Sequence, residues 1–198
     1  MQKRGHNPAC SESILRKERK HTMKKHAIAL AGALALGGVA AHADTGTYLG
    51  INVGQAHMNG NGFSSDSGDL LGLFVGQDLW KVRAMRLGVE GSYNTLGNYS
   101  GLMGDGHARE GDVSLIGTYY LDTANTVGLY AKAGVAHTWL TAAGGGSSQT
   151  GGTYGVGVRY HFTPQIEGRL GAQYYDLGDS TPFYNHNTAW TLGAAYHF

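Results

Sequence analysis

The sequence predicts an all-β protein, an eight-stranded antiparallel up-and-down β-barrel that crosses a membrane. Three observations lead to this prediction. Apolar residues alternate with small or polar residues in eight segments, the connections between the segments are alternately long and short, and the less apolar face carries mainly Gly, Ser and Thr with a few charges. A face of this kind suits the narrow lumen of a small barrel, and the apolar outer face then requires lipid around it.

The first 43 residues have the composition of an export segment. They hold 8 of the 15 Lys and Arg residues of the chain. Lys24 and Lys25 precede an uncharged run over 27–41, and Ala41 and Ala43 place small residues where a signal peptidase cleaves. We therefore expect a signal peptide over 23–43, cleavage before Asp44, and a barrel over 44–198.

Each half of this front part of the chain has an alternative interpretation. For 27–41 it is a membrane-spanning helix, but this run is shorter than the roughly 20 residues that such a helix needs, and it contains three glycines. Residues 1–22 are polar and basic, and Met23 is the better first residue for a secretory signal. We interpret 1–22 as an upstream extension that arises from a misassigned start site. A long native n-region is the alternative, and it would leave the exported part of the chain unchanged.

Composition excludes several classes for the barrel segment. Residues 44–198 carry 7 basic and 12 acidic side chains, a net charge of −5, which argues against a nucleic-acid partner. The single cysteine, Cys10, lies upstream, so a disulfide scaffold and cysteine-based metal sites are excluded. We expect no metal and no cofactor.

The period of two in the barrel segment indicates strands rather than helices. The apolar positions of the eight segments, in chain order, are Leu49, Ile51 and Val53; Leu71, Leu73 and Val75; Met85, Leu87, Val89 and Tyr93; Val113, Leu115, Tyr119 and Leu121; Leu129, Ala131, Ala133 and Val135; Tyr154, Val156, Val158, Tyr160 and Phe162; Leu170, Ala172 and Tyr174; and Trp190, Leu192, Ala194, Tyr196 and Phe198.

The connections between these segments alternate in length. Long polar connections are expected over 57–69, 94–109, 141–152 and 176–187, and short ones over 79–82, 122–125 and 163–165. This asymmetry, an even number of strands and an export signal are typical of bacterial outer-membrane barrels.

The inward positions place four cations and four carboxylates inside one narrow lumen. They are Asp78, Arg86, Glu90, Asp112, Lys132, Arg159, Glu167 and Arg169. An unpaired charge in such an interior costs several kcal/mol, so these groups are expected to pair and to plug the lumen. A gate that opens a small conduit when the pairs exchange partners is the alternative.

A surface enzyme that modifies lipid A is a further alternative. His137 lies at the end of the fifth strand, Ser147 and Ser148 follow in a glycine-rich connection, and His186 lies in the last long connection with Asp176, Asp179 and Ser180. A nucleophile needs a rigid support, which a glycine-rich tip does not supply. Metal binding is also considered. His107 and Glu110 flank one connection, and His161 and His197 point inward near the short-turn end. No pair of these residues has the close spacing on one strand or loop that is typical of metal ligands.

Several motifs resemble those of the OmpA-like eight-stranded outer-membrane β-barrels. The similar stretches are Phe74 to Asp78, Val89 to Gly97, Tyr130 to Val135, Gly155 to Tyr160, Gly168 to Asp179 and Leu192 to Phe198. The resemblance covers the whole predicted barrel. Gln77 stands where the family usually has Tyr, and Gln173 where it often has Glu. The peptidoglycan-binding domain of the family namesake is expected to be missing, and the lipid A deacylase pattern of His-x-Ser-Asn does not occur.

The resemblance also implies an assembly signal in the last strand. Trp190, Leu192, Ala194, Tyr196 and Phe198 share one register, and the barrel-assembly machinery reads such a terminal aromatic in the family. We expect a monomeric, non-catalytic protein of the bacterial outer membrane with a structural, envelope-integrity or surface-adhesion role. Expected partners are outer-membrane lipid, lipopolysaccharide, the assembly machinery and a host or phage ligand at the long loops. A narrow channel for small solutes is the alternative.

Overall fold

A computed structural model describes residues 46–59, 67–101, 104–142, 145–176 and 186–198. The predicted upstream extension, signal peptide and cleavage site at Ala41, Ala43 and Asp44 lie outside the described residues. Within the described part, no helix is both long enough and apolar enough to cross a membrane.

Eight antiparallel strands form one closed barrel, which confirms the predicted fold class. Their bounds are β1 Thr47–Asn59, β2 Ser67–Val82, β3 Met85–Gly101, β4 Gly104–Tyr120, β5 Val127–Ala142, β6 Gly145–His161, β7 Ile166–Asp176 and β8 His186–His197. Each strand pairs with the next one along the chain, and β1 pairs with β8 from Tyr48 opposite His197 to Asn59 opposite His186. Closure leaves the sheet without an edge.

The outer face is apolar, as the alternation predicts. Val113 and Leu115 are each 69% exposed, whereas the next side chains inward, Asp112 and Ser114, are buried. Aromatic side chains lie near both ends of this face. Those toward the short turns include Tyr119, Tyr160, Phe162, Tyr196 and Phe198, and those toward the other end include Tyr93, Trp139, Tyr154, Tyr174 and Trp190. Such belts flank the apolar band of membrane barrels.

The strands are longer than the alternation predicts. β3 extends to Gly101 and β4 begins at Gly104, so most of the expected connection over 94–109 is paired strand. In the same way, β5 and β6 pair out to Ala142 opposite Gly145, inside the expected connection over 141–152. The prediction was wrong there because strand ends that extend past the bilayer no longer need an apolar outer face. The backbone ladder continues while the period-two signal disappears.

The first short connection also differs from the prediction. Residues 79–82 belong to β2, and the chain reverses at Arg83 and Ala84, where Arg83 has a φ of 51°. The register shifts between Asp78 and Trp80, so Leu79 is an extra residue in β2 and both Leu79 and Trp80 face outward. This β-bulge interrupts the alternation and makes the end of β2 look like a turn.

The second short connection is fixed by Asp122. Its carboxylate accepts backbone hydrogen bonds from Val127 at 3.0 Å and Thr126 at 2.8 Å. These hydrogen bonds, that from Val127 most of all, hold the pKa of the Asp122 carboxyl below its usual range. Asn125 adopts a left-handed φ of 55° in the same turn, a conformation that Asn tolerates well.

Candidate functional site

The candidate site is the interior of the barrel, where the structure places all eight charged residues singled out in the sequence. They are Asp78, Arg86, Glu90, Asp112, Lys132, Arg159, Glu167 and Arg169, from β2 to β7. All except Arg86 and Lys132 are buried, and those two are partly buried. Alternate residues of a strand point to opposite faces of the sheet, and each of these eight lies at a position that points into the lumen.

Five of these residues make a continuous set that we call the central ion-pair group: Glu90, Lys132, Arg159, Glu167 and Arg169. Arg169 donates to both carboxylates, through one terminal nitrogen to Glu90 and through Nε to Glu167. Lys132 Nζ lies 3.3 Å from Glu90 Oε1, and a terminal nitrogen of Arg159 lies 3.5 Å from Glu167 Oε2. Three cations therefore share two carboxylates in the middle of the lumen.

Aromatic rings surround the cation that bridges the two carboxylates. The guanidinium carbon of Arg169 lies 4.6 Å from the Tyr48 ring centroid and 4.4 Å from that of Phe74. The Tyr48 hydroxyl donates to Glu90 at 3.0 Å. Cation–π contacts are stronger in a desolvated site, so the rings help to hold Arg169 in place.

A separate pair lies nearer the short-turn end. Arg86 is 3.2 Å from Asp78, and its guanidinium stacks on Tyr120 with 4.7 Å between the guanidinium carbon and the ring centroid. The Arg86 side chain is 21% exposed. This pair is the most solvated part of the charged lumen.

Asp112 differs from the expectation that every lumen charge meets an opposite charge. Its carboxylate accepts hydrogen bonds from Ser92, from Ser114 at 3.0 Å and from Gln173 at 3.2 Å. Neutral donors therefore satisfy this carboxylate directly. Gln173, which stands where the family often has Glu, also donates to Thr153 at 2.8 Å and so links β6 and β7 to Asp112 on the opposite wall.

Glu110 is a buried carboxyl group at a position that the sequence predicts to flank a loop. It is 0% exposed, and Asn94 donates to its Oε2 at 3.1 Å. His107 is exposed and Glu110 is buried, so the two residues considered as loop ligands lie on opposite faces of β4. The alternation of the strand could have predicted this burial, because Glu110 is two residues from the inward-facing Asp112 on the same strand and therefore points to the same face.

An apolar layer closes the lumen toward the long-loop end. It consists of Ala56, Leu70, Leu96, Ala108, Ala136, Tyr175 and Ala189, all almost fully buried. This layer is not predicted by the sequence, because most of its residues lie in or beside the segments predicted to be connections. The barrel interior therefore has a charged middle and an apolar cover.

A histidine cluster lies at the short-turn end of the lumen. Nε2 of His161 is 3.3 Å and Nε2 of His197 is 3.0 Å from Glu167 Oε2. Both histidines point inward, but their meeting at one carboxylate was not expected. It depends on the register of three adjacent strands, β6, β7 and β8, which spacing along the chain does not show.

The proposed assembly signal lies on the outside of β8. Trp190, Leu192, Tyr196 and Phe198 are each at least half exposed, and Ala194 is exposed in the same register. The Phe198 amide donates to the Thr47 carbonyl at 3.0 Å. The last residue is therefore joined to the first strand by a backbone hydrogen bond.

Comparisons with known proteins agree with this architecture. The family model described as "Outer membrane protein beta-barrel domain" matches residues 27–198. No curated protein sequence matches the chain significantly.

Solved structures share the fold at low sequence identity. The structure of Ail, the attachment invasion locus protein of Yersinia pestis, is 20% identical over 78% of this chain and 99% of that one, with a TM-score of 0.56. Ail in complex with the heparin analogue sucrose octasulfate gives 18% identity, the same coverage and a TM-score of 0.57. Neisserial surface protein A gives 19% identity over 78% of this chain and 98% of that one, with a TM-score of 0.53.

Proposed function

Because the chain belongs to the family of outer membrane protein beta-barrel domains, a family of the bacterial outer membrane, we propose that it is a sealed, non-catalytic barrel. In this proposal the barrel is a monomeric scaffold that holds surface-exposed segments in place. Its role is structural, in envelope integrity, or adhesive.

The observation that carries this proposal is the double closure of the lumen. In the middle, Arg169 bridges Glu90 and Glu167, and its side chain is only 5% exposed. Toward the long-loop end, the apolar layer around Leu70 and Leu96 covers the charged groups. A solute would have to separate buried ion pairs and then cross apolar side chains, and each step is costly.

Planar-bilayer conductance of the protein purified from outer membranes tests this proposal. We expect no discrete conductance steps above those of the bare bilayer. The variant Glu90→Ala/Arg169→Ala/Leu96→Ala removes the bridge and part of the apolar layer, so it is expected to raise the leak. Leu170→Ala, on the lipid face of β7 beside Arg169, is the matched control. Regular steps from the unmodified barrel would support the narrow channel instead.

The surroundings of His137 support a non-catalytic role. His137 Nδ1 lies 2.6 Å from Thr150 Oγ1, and the residues paired with His137 are Gly111 on β4 and Thr150 on β6. Neither neighbour supplies the carboxylate that would orient a catalytic histidine. Ser147 and Ser148 lie on β6 opposite Leu140 and Trp139, in paired strand and not in the glycine-rich loop tip expected from the sequence. The expected lack of a rigid support therefore does not apply to them. Mass analysis of lipid A from cells with and without the protein tests this point, and an altered acyl pattern would contradict it.

A basic and aromatic surface at the long-loop end supports contact with lipopolysaccharide. Arg109 and His107 are exposed on β4, and Arg109 is paired in register with Trp139 on β5. A guanidinium binds phosphate well, and Trp prefers the interface between apolar and polar lipid regions. Arg109→Ala is expected to weaken binding of lipopolysaccharide to the purified barrel, and Arg83→Ala, at the opposite end, serves as the control.

Adhesion is proposed on the fold shared with Ail, whose structure is known with the heparin analogue sucrose octasulfate. In this proposal the long-loop end of the barrel binds a host or phage ligand. Binding of producing and non-producing cells to immobilised heparin tests a sulfated ligand. Equal binding of the two cell types would limit the proposal to a structural role.

A further inference from the structure

We propose that His161, Glu167 and His197 form a binding site for a divalent transition metal ion, with Zn²⁺ as the representative ion. The site lies at the short-turn end of the lumen. It is independent of the proposed function, because a sealed barrel and a conducting one could each bind a metal there.

The geometry of the three donor atoms suits a zinc ion. Nε2 of each histidine faces the same carboxylate oxygen, Glu167 Oε2, at 3.3 Å for His161 and 3.0 Å for His197. One ligand atom from each residue lies within 4.8 Å of the others. In a tetrahedral site with bonds near 2 Å, ligand atoms are about 3.4 Å apart. A small closure of the two histidines around an ion would therefore complete the site.

The strands hold these donors in a defined arrangement. His161 is paired directly with Glu167 across β6 and β7, and β8 brings His197 beside them. The site thus rests on paired strand ends rather than on a loop. Sites on regular elements keep their geometry better than sites on loops.

The chemistry of the donors selects the class of metal. Two imidazole nitrogens and one carboxylate oxygen favour Zn²⁺, Ni²⁺ or Cu²⁺, whereas Ca²⁺ and Mg²⁺ prefer oxygen ligands only. Three protein ligands also leave a fourth position for an external ligand. This combination predicts a transition-metal site with an open position.

An ion can reach the site from the short-turn end. The side chains of His161 and His197 are 12% and 8% exposed, while that of Glu167 is fully buried. The histidines therefore lie between Glu167 and the solvent. Entry by this route does not disturb Lys132 or Glu90 deeper in the lumen.

The neighbouring arginines limit the affinity but do not occupy the site. Arg169 donates to Glu167 Oε1, whereas the histidines face Oε2. Arg159 lies 3.5 Å from Oε2, and its charge opposes that of a metal ion. Within the described part of the chain, no guanidinium nitrogen of Arg159 makes a hydrogen bond of good geometry. An anion such as chloride at the fourth metal position could accept hydrogen bonds from Arg159 and offset the added charge.

Metal titration of the purified barrel tests the proposal. The protein is isolated from outer membranes without a histidine tag, stripped with a chelator, and titrated with ZnCl₂ by calorimetry in detergent. We expect one Zn²⁺ per barrel. With Co²⁺ in place of Zn²⁺, we expect the visible absorption of a four-coordinate site.

Variants connect the binding to these residues. His161→Ala and His197→Ala are each expected to weaken Zn²⁺ binding by roughly tenfold or more, since even outer-shell changes have effects of that size. His137→Ala, on the outer face toward the other end of β5, is the control and should bind as the unmodified protein does. Gel mobility with and without heating shows whether each variant is folded, and His161→Gln and His197→Gln replace any alanine variant that does not fold.

Two results would overturn the proposal. One is the absence of a saturable Zn²⁺ signal in the folded, unmodified barrel. The other is unchanged binding in a folded variant that lacks both His161 and His197, because the ion would then be bound at another site.

Discussion

Replacement of Val156 by Arg tests which face of β6 meets lipid and how deep that face lies. Val156 is 61% exposed on the outer face, between Tyr154 and Tyr160. Its partners across the sheet are Ala131 and Ala172, which are small. An arginine therefore fits without a clash, and its cost measures the surrounding lipid alone.

The expected cost follows from depth. A lipid-facing Arg near the bilayer midplane destabilises a membrane barrel by about 2–4 kcal/mol, and one near an interface by about 0–1 kcal/mol. Val82 supplies a matched site for the same substitution, because it is 54% exposed and ends β2 at the short-turn end. Relative to the unmodified protein, we expect Val156→Arg to lower the free energy of unfolding by about 2–4 kcal/mol and Val82→Arg to lower it by at most about 1 kcal/mol.

Equilibrium unfolding by denaturant in lipid vesicles gives both free energies by linear extrapolation. The same pair of substitutions in detergent micelles is expected to show a smaller difference, because a micelle adapts around a charge. Equal costs at Val156 and Val82 in vesicles would refute the assignment of the outer face to lipid. Arg at Val158, the next outward position, should behave like Arg at Val156.

Three further predictions concern the lumen, export and assembly. Arg169→Met should lower the free energy of unfolding by about 3–5 kcal/mol, because it leaves two buried carboxylates with fewer partners. Arg86→Met should lower it by less, since the Arg86 side chain is 21% exposed. Denaturant titration of both variants measures the difference. Amino-terminal sequencing of outer-membrane material should begin at Asp44, and a product that retains residues 23–43 would contradict export by cleavage. Deletion of Phe198 should lower the outer-membrane level while purified chain still refolds in micelles, and a normal level in cells would reduce Phe198 to an interfacial anchor.

The sequence predicts the barrel well because membrane and lumen impose opposite demands on alternate residues. Leu115 and Ser114 show this clearly, since one faces lipid and the other is buried among polar groups. The same rule fails where lipid ends. Beyond the bilayer, residues such as Thr141 and Gly146 stay paired across β5 and β6, although the outer face carries no apolar period there.

The site is predicted less completely than the fold because alternation gives the face and not the neighbour across the lumen. It shows that Glu90 and Arg169 point inward, but their contact joins residues 79 positions apart in sequence. The meeting of His161 and His197 at Glu167 depends likewise on the stagger between adjacent strands. Stagger is a property of the closed sheet, and no local pattern encodes it.

The pairing of β1 with β8 has a consequence for how the barrel folds. Every other strand pair joins neighbours along the chain and can form as a local hairpin, whereas this pair joins the two ends of the barrel. Long-range pairing carries the largest loss of chain entropy, so this contact should form last. Until then two long strands have unpaired backbone groups, which is the arrangement that promotes aggregation. The interval before the ends meet is therefore when a newly exported chain depends most on being kept apart from other copies.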